Sequence, residues 1–297
     1  MRTERAVWTS LVVLLVLTAC GPGSDGGRSS RTVIQNKGSD TLVNVAQAWA
    51  ETYKTVKPDV AVAVSGGGSG TGISAMINGT VDIANASREM KDKEIDMARE
   101  RGIEPIEWVV GYDALAVFLH HDNPIESFTV AQLADIYGEG GQTKTWSQLG
   151  VEVPGCKSDE IIRVSRQNNS GTYVYFKDAV LGKGRDYELG SRDMHGSKDV
   201  VDLVENTPCA IGYSGLAYAT PEIRLPCLAA DEGSDCVAPS IESAVDGSYP
   251  LARSLLMYTP GQPQGAVQVY LEWILSDAGQ CIIIDKGYAP VRAVSCG

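Results

Sequence analysis

The feature that most constrains the fold is an alternation of short apolar runs with segments of helical spacing. Strand-like runs are predicted at residues 33–34, 60–64, 81–84, 108–119, 161–165, 210–213 and 253–258. Helical segments are predicted at residues 42–53, 73–77, 91–101, 129–137, 171–181, 197–205 and 265–276. Such alternation predicts an α/β fold with a largely parallel sheet.

The first thirty residues have the pattern of an export signal followed by a tether. Arg2 and Arg5 precede an apolar stretch at residues 7–17, which is too short for a membrane span of about 20 residues. Small residues directly before Cys20 predict a lipoprotein signal peptide at residues 1–19, with Cys20 lipidated. An ordinary cleaved signal with an unrelated cysteine is the alternative. The polar residues 20–30 suit a flexible tether, so we expect the protein in the periplasm or on the outer face of the cell membrane.

Cysteine usage agrees with an oxidising compartment. Six cysteines remain beyond Cys20: Cys156, Cys209, Cys227, Cys236, Cys281 and Cys296. An even number in an exported chain predicts disulfides, although spacing alone leaves many connectivities open. We favour the local pairs Cys227–Cys236 and Cys281–Cys296. A metal site is disfavoured because no CxxC spacing occurs.

Length and charge narrow the class of protein further. Residues 31–297 exceed one typical domain of about 100–150 residues and suit two lobes. The formal net charge of −12 is unlike that of nucleic-acid-binding proteins. An anion bound to such a chain must be held by local donors against an unfavourable global field.

Four loops follow predicted strands and precede helices, where backbone N–H groups can bind anions. They lie at residues 38–41, 65–72, 85–88 and 166–172, and the last two carry Arg88 and Arg166. Each loop has a simpler interpretation: a helix cap for the first, a linker for the glycine-rich second, and solvated charges for the two arginines. Together, two arginines and two hydroxyl-rich helix starts predict an oxyanion cage.

Catalytic and metal-binding signatures are weak. The glycine-rich loop does not match GxGxxG, the P-loop or GxSxG, which disfavours a nucleotide site or a nucleophile elbow. The histidines are His120, His121 and His195, and no cluster with acidic residues is evident from the sequence. Because adjacent residues of a strand point to opposite faces, we expect His120 and His121 not to chelate one ion. We therefore expect neither an enzyme, nor a metal, nor a cofactor.

Three segments, in this order, resemble the phosphate-binding proteins of bacterial high-affinity phosphate ABC transporters: GSDTLVNVAQAWAETY, SGGGSGTGISAMINGTVDIANASR and RQNNSGTYVYF. The resemblance runs from about Gly38 to Ala289. It implies a type II periplasmic-binding fold with two α/β lobes and a ligand cleft between them. Lobe I would comprise residues 31–111 and 253–297, and lobe II residues 112–252. The two chain crossings would lie near 111–113 and 250–253.

The resemblance also implies a set of phosphate-binding residues. They are Ser39, Asp40 and Thr41; Ser69 and Gly70; Ser87 and Arg88; and Arg166, Ser170, Gly171 and Thr172. Other members carry Asp at the positions of Arg88 and Asn168, the first of which accepts the proton of the ligand. We expect Asp40 to take over as acceptor here, which would favour phosphate over sulfate because only phosphate keeps a proton at neutral pH.

The sequence thus predicts a monomeric, lipid-anchored solute-binding protein that captures inorganic phosphate and delivers it to the permease subunits of an ABC importer. A binding protein for sulfate, molybdate or a small organic phosphate is the first alternative. A secreted phosphate-ester hydrolase and a surface protein that binds phosphate without transporting it are the others. Binding to nucleic acid is not expected.

Overall fold

The computed structural model describes residues 31–297, in which strands and helices alternate. The strands are β1 Thr32–Gly38, β2 Val60–Ser65, β3 Ile83–Ala86, β4 Ile106–His120, β5 Ser127–Thr129, β6 Ile162–Arg166, β7 Arg192–Met194, β8 Ala210–Gly215, β9 Ile223–Arg224, β10 Cys227–Ala229 and β11 Ala252–Thr259. The helices are α1 Val43–Val56, α2 Ser69–Ile77, α3 Asp92–Glu100, α4 Val130–Tyr137, α5 Gly171–Phe176, α6 Ser197–Glu205, α7 Ile241–Val245, α8 Gly265–Ile274 and α9 Asp277–Asp285. A π-helical turn, Lys177–Leu181, continues α5. The predicted signal peptide, tether and Cys20 lie outside these residues.

Most strands belong to one curled sheet with the order β2-β1-β3-β11-β4-β8-β6-β7, and β9 also pairs with β4. β1 runs parallel to β2 and β3, and β6 runs parallel to β7 and β8. The centre is antiparallel, because β11 pairs with β3 and β4, and β4 pairs with β8. The expectation of a largely parallel sheet is therefore wrong. Local periodicity does not encode the direction of a strand that arrives from the far end of the chain.

β4 is the strand that joins the two halves of the sheet. Its first part, from Ile106 to Ala114, pairs with β11, and its second part, from Leu115 to Leu119, pairs with β8. Every residue from Asp113 to His120 is buried, and all of those between these two ends are apolar. Burial on both faces explains the nearly continuous apolar run that predicted this strand.

The apolar core consists of four buried clusters. Two of them draw their members from between Ile34 and Val110 and between Leu255 and Tyr288. The other two draw theirs from between Ala114 and Leu251, with Ala289 added to one of them. A large buried indole lies in a cluster on each side: Trp49 in the first group and Trp146 in the second.

Three disulfides close loops of the described chain. Cys227 is bonded to Cys236 and Cys281 to Cys296, which confirms the two favoured local pairs. The third bridge joins Cys156 to Cys209. Among residues 31–297, no helix has the length and apolar character needed to cross a membrane.

Candidate functional site

The first loop turns two hydroxyl groups toward neighbouring loops. β1 ends at Gly38, and a short 3-10 turn, Asp40–Leu42, leads into α1. The Ser39 side chain does not cap this turn; its hydroxyl donates to Ser87 Oγ at 2.9 Å. Thr41 Oγ1 lies 3.1 Å from Thr172 Oγ1. Both side chains are buried.

The second loop packs closely against the fourth. Gly68 has φ +90°, a conformation that favours glycine, and a Cβ there would lie 2.6 Å from the Asn169 carbonyl oxygen. The Gly70 amide donates to the same carbonyl at 3.0 Å. Ser69 begins α2, and its Oγ accepts a hydrogen bond from the Ser87 amide at 3.1 Å. The glycines of this loop thus permit a close approach of backbones, which a linker would not require.

The third loop, at the end of β3, holds a serine of the hydroxyl cluster and an arginine directed elsewhere. Ser87 lies between Ser39 and Ser69, whereas Arg88 donates two hydrogen bonds to Glu94, at 2.8 and 2.7 Å, and one to the Glu89 carbonyl. Burial acts to raise the pKa of Glu94, but the hydrogen bonds from Arg88 and from a backbone amide outweigh it, so this pKa is lowered. The structure therefore pairs Arg88 with a carboxylate at the edge of the predicted cage.

In the fourth loop, Arg166 is fully buried at the end of β6. Its Nη1 donates to Ser197 Oγ at 3.0 Å, and its Nη2 donates to the His195 carbonyl at 2.7 Å and to Asp40 Oδ2 at 3.1 Å. Burial lowers the pKa of Arg166, and the Asp40 carboxylate opposes this shift. These three partners fix the guanidinium where the first and fourth loops meet.

The start of α5 faces the serine cluster. Ser170 caps the helix, since its Oγ accepts from the Thr172 amide at 3.2 Å. A Cβ at Gly171 would overlap Ser69 Oγ and would lie 2.6 Å from Ser87 Oγ. The absence of a side chain at Gly171 is thus what allows the second, third and fourth loops to meet.

Asp40 connects three loops through one carboxylate. Its Oδ1 accepts from the Gly67 amide at 2.9 Å, and its Oδ2 accepts from Arg166. The hydroxyl of Tyr218 donates to the Asp40 carbonyl at 2.7 Å. The predicted acceptor is therefore in the site, where it also orients Arg166 and the glycine-rich loop.

A site residue that the sequence prediction did not include is Arg253, on β11. Its Nη1 donates to Thr172 Oγ1 at 3.0 Å, and its Nη2 donates to Thr41 Oγ1 at 3.3 Å and to Asp113 Oδ2 at 2.7 Å. A charged residue inside an otherwise apolar strand was the signal, because a buried cation requires partners. Asp113, a carboxylate in the apolar run of β4, is the residue of opposite charge that such a buried arginine requires.

Each arginine of the site has a carboxylate partner: Arg88 has Glu94, Arg166 has Asp40, and Arg253 has Asp113. Burial raises the pKa of Asp113, against the opposing influence of the Arg253 charge. The site therefore combines clustered hydroxyl groups with three arginines whose charges are largely compensated. Such a site can hold a small oxyanion by directed hydrogen bonds and local dipoles, which suits a chain of net charge −12.

The histidine pair departs from its sequence-based description. His121 lies just beyond β4, in a turn, so the two side chains are not forced to opposite faces of a strand. Their ring centroids are 4.2 Å apart, and candidate ligand atoms of His120, His121 and Asp122 lie within 4.8 Å of one another. The expectation that His120 and His121 point to opposite faces of a strand is therefore wrong. Because β4 is extended from Asp113 to His120, its rise per residue places this cluster roughly 20 Å from the arginine site.

A mixed α/β body with a curled sheet and four polar loops brought together has the type II periplasmic-binding fold of solute-binding proteins. The sequence profile of the PBP superfamily domain matches residues 23–278. The phosphate-binding protein PstS of Pseudomonas aeruginosa is 35% identical over 271 residues, which are 88% of this chain and 83% of the relative. Protein SphX of Synechococcus elongatus is 32% identical, covering 89% of this chain and 79% of the relative. The chain therefore belongs to the phosphate-binding protein family of the PBP superfamily.

A solved structure agrees with this assignment. A candidate phosphate ABC transporter substrate-binding protein from Clostridium perfringens, determined with bound phosphate, superposes with a TM-score of 0.77. It is 28% identical in sequence, and the alignment covers 88% of this chain and all of the other. The fold described above is thus that of the family.

Proposed function

We propose that the protein is an exported, lipid-anchored solute-binding protein that captures inorganic phosphate and delivers it to an ABC importer. The observation that carries the proposal is the cluster of Ser39, Ser69 and Ser87, of which the last two lie against Gly171, together with the pair formed by Arg166 and Asp40. Hydroxyl and guanidinium donors match the oxygens of a tetrahedral anion. The names of the relatives favour phosphate among such anions.

In this proposal the site residues predicted from the sequence bind phosphate, and Asp40 accepts the proton that phosphate retains. Residues 31–111 and 253–297 form one lobe, residues 112–252 form the other, and the anion is enclosed between them. The hydrogen bonds Thr41–Thr172, Gly70–Asn169 and Arg166–Asp40 all run between these two segments of chain. Closure would therefore bring complementary donors and acceptors together around the ligand.

Export and anchoring rest on the first thirty residues of the sequence. Lipidated Cys20 would hold a monomeric protein, through residues 20–30, at the outer face of a membrane beside the permease subunits. Metabolic labelling with a palmitate analogue tests this. The wild-type protein should be labelled and should sediment with membranes, whereas Cys20→Ala should be neither labelled nor membrane-bound. Equal labelling of both proteins would contradict the anchor.

Isothermal titration tests phosphate capture. A protein that begins at residue 31 is freed of ligand by partial unfolding and refolding, and is then titrated with phosphate, sulfate and molybdate at matched pH. We expect one phosphate per chain and at least a hundredfold weaker binding of the other two anions. Absence of phosphate binding would refute the proposal, while tighter binding of another anion would favour a different oxyanion carrier. Turnover of a chromogenic phosphate ester by the same preparation would favour the hydrolase.

A further inference from the structure

Arg253 and Asp113 form a buried ion pair on the two strands that meet at the centre of the sheet. They face each other in the antiparallel register of β11 and β4, and their exposed fractions are 5% and 2%. Asp113 Oδ2 accepts from both Nε and Nη2 of Arg253, at 3.0 and 2.7 Å. A pair of this kind is costly to bury and is strongly destabilising to break, so its presence is weak evidence for a gain in net stability.

The rest of the Arg253 guanidinium is turned toward the loops of the site. Besides the bonds to Thr172 and Thr41, Nη1 lies 3.4 Å from the Ser87 carbonyl oxygen. The Arg253 side chain also lies over the Tyr175 ring, 5.6 Å from its centroid. One cation therefore touches the first, third and fourth loops, while its other edge is held by Asp113.

A groove gives access to this cation from outside. It has a volume of about 710 Å³, and its lining includes Arg88 and Arg253 together with Lys91 and Lys183. Acidic residues, among them Asp178, also line it, so the groove is not uniformly positive. Arg253 therefore belongs both to the lining of this groove and to the hydrogen-bond network of Thr41 and Thr172.

We infer that Arg253 is an anion-binding residue of this site and that Asp113 is the positioning residue that holds it. This inference rests on the proposed function. Asp113 Oδ2 accepts from the edge of the guanidinium formed by Nε and Nη2, and this directs Nη1 to Thr172 and the second N–H of Nη2 to Thr41. Because the pair joins β4 to β11, the group that binds the anion is attached to both strands that connect the lobes. Anion binding is thereby coupled to the relative position of the lobes.

Variants that remove the pair as a unit separate binding from folding. Arg253→Gln alone leaves Asp113 buried without its partner and is strongly destabilising, so its Kd by itself would not separate binding from folding. The double variant Arg253→Gln/Asp113→Asn removes both charges, so it should keep a cooperative thermal transition. We expect its Kd for phosphate to be at least a hundredfold higher than that of the wild type. The matched control is Arg99→Gln/Glu104→Gln, which removes an exposed ion pair, and its Kd should be unchanged.

The positioning role is tested by a double-mutant cycle in phosphate affinity. Asp113→Asn should weaken phosphate binding about tenfold when Arg253 is present, and should have no further effect when residue 253 is already glutamine. A purely structural role of Asp113 would weaken binding equally in both backgrounds. A folded double variant whose Kd is within threefold of the wild-type value would overturn the inference. Failure of the wild type itself to bind phosphate would instead refute the proposed function.

Discussion

Arg166 Nη2 donates to Asp40 Oδ2 at 3.1 Å, and this bond joins residues that are 126 positions apart in the chain. Arg166 is fully buried, so the carboxylate both compensates its charge and fixes the direction of its donors. The second oxygen of Asp40 accepts from the amide of Gly67. One side chain therefore sets the geometry of two loops and lies within the proposed anion site.

Asp40→Asn should weaken phosphate binding about a hundredfold and should lower the preference for phosphate over sulfate. The substitution replaces one oxygen of a half-buried carboxylate by a donor and leaves Arg166 without its compensating charge, at a cost of about 3 kcal/mol. Titration calorimetry with both anions measures the two effects. Asp82→Asn is the control, because Asp82 also accepts from a backbone amide but lies outside the four loops. Unchanged affinity and selectivity in Asp40→Asn would show that Asp40 is not the acceptor.

Gly171→Ala should abolish measurable phosphate binding while the protein remains folded. The added methyl group would occupy the space of Ser69 Oγ and Ser87 Oγ, so the hydroxyl cluster would be forced apart. Gly79→Ala is a useful contrast: Gly79 has φ +69° with no atom near its Cβ position, so alanine there adds strain of about 1 kcal/mol but no clash. We expect it to lower the Tm and leave the phosphate Kd unchanged. An unchanged phosphate Kd in Gly171→Ala, together with a raised Kd in Gly79→Ala, would contradict the packing described for Gly171.

Glu94→Gln should lower the free energy of unfolding by about 2 kcal/mol at pH 7, because the buried Arg88 loses a half-buried, doubly hydrogen-bonded partner. The pKa of Glu94 is lower in the folded state than the value of about 4.3 expected when unfolded. Its stabilising effect is therefore complete above that unfolded pKa and is lost as the pH falls through the folded pKa.

Urea titrations of wild type and Glu94→Gln between pH 7 and pH 3 should consequently converge at the acid end. The control is Glu104→Gln, which breaks the exposed pair with Arg99 and should have a much smaller effect at every pH. A difference between wild type and Glu94→Gln that is independent of pH would contradict the ion pair as its cause.

Replacing both cysteines of a bridge by alanine should lower the free energy of unfolding, and the loss should be larger for the bridge that closes the longer loop. The chain-entropy estimate is about 4 kcal/mol for Cys156–Cys209, with a separation of 53 residues, and about 3 kcal/mol for Cys281–Cys296, with a separation of 15. Thermal melts of the two double variants test this order. Phosphate affinity should change less than threefold in both, since neither bridge belongs to the four loops.

The sequence predicted those parts of the fold and site that depend on neighbours in the chain. Local periodicity indicated the strands that precede the four loops, and short spacing indicated two disulfides, as the structure confirms. The placement of β11 between β3 and β4 was not predictable, because pairing between distant strands leaves no local pattern.

Two features of the site show the same limit. Arg253 and Asp113 are both charged residues in predicted strands, but only the register of β4 with β11 reveals that they are partners. Arg88, predicted to be in the oxyanion cage, donates to Glu94, six residues later in α3, a partner that residue type alone did not indicate. Residue type identified arginines as side chains able to bind an anion. The direction in which each guanidinium points depends on the carboxylate with which it pairs.

The order of strands in the sheet also determines when the protein can finish folding. β11 lies between β3 and β4, so the strands at residues 32–86 cannot join the rest of the sheet until residues 252–259 are present. A chain that emerges from its amino terminus, whether from a ribosome or through a membrane, therefore exposes the edge of β3 until almost all of it has been delivered. A protein of this topology therefore keeps an aggregation-prone strand edge unpaired for nearly the whole time of its synthesis.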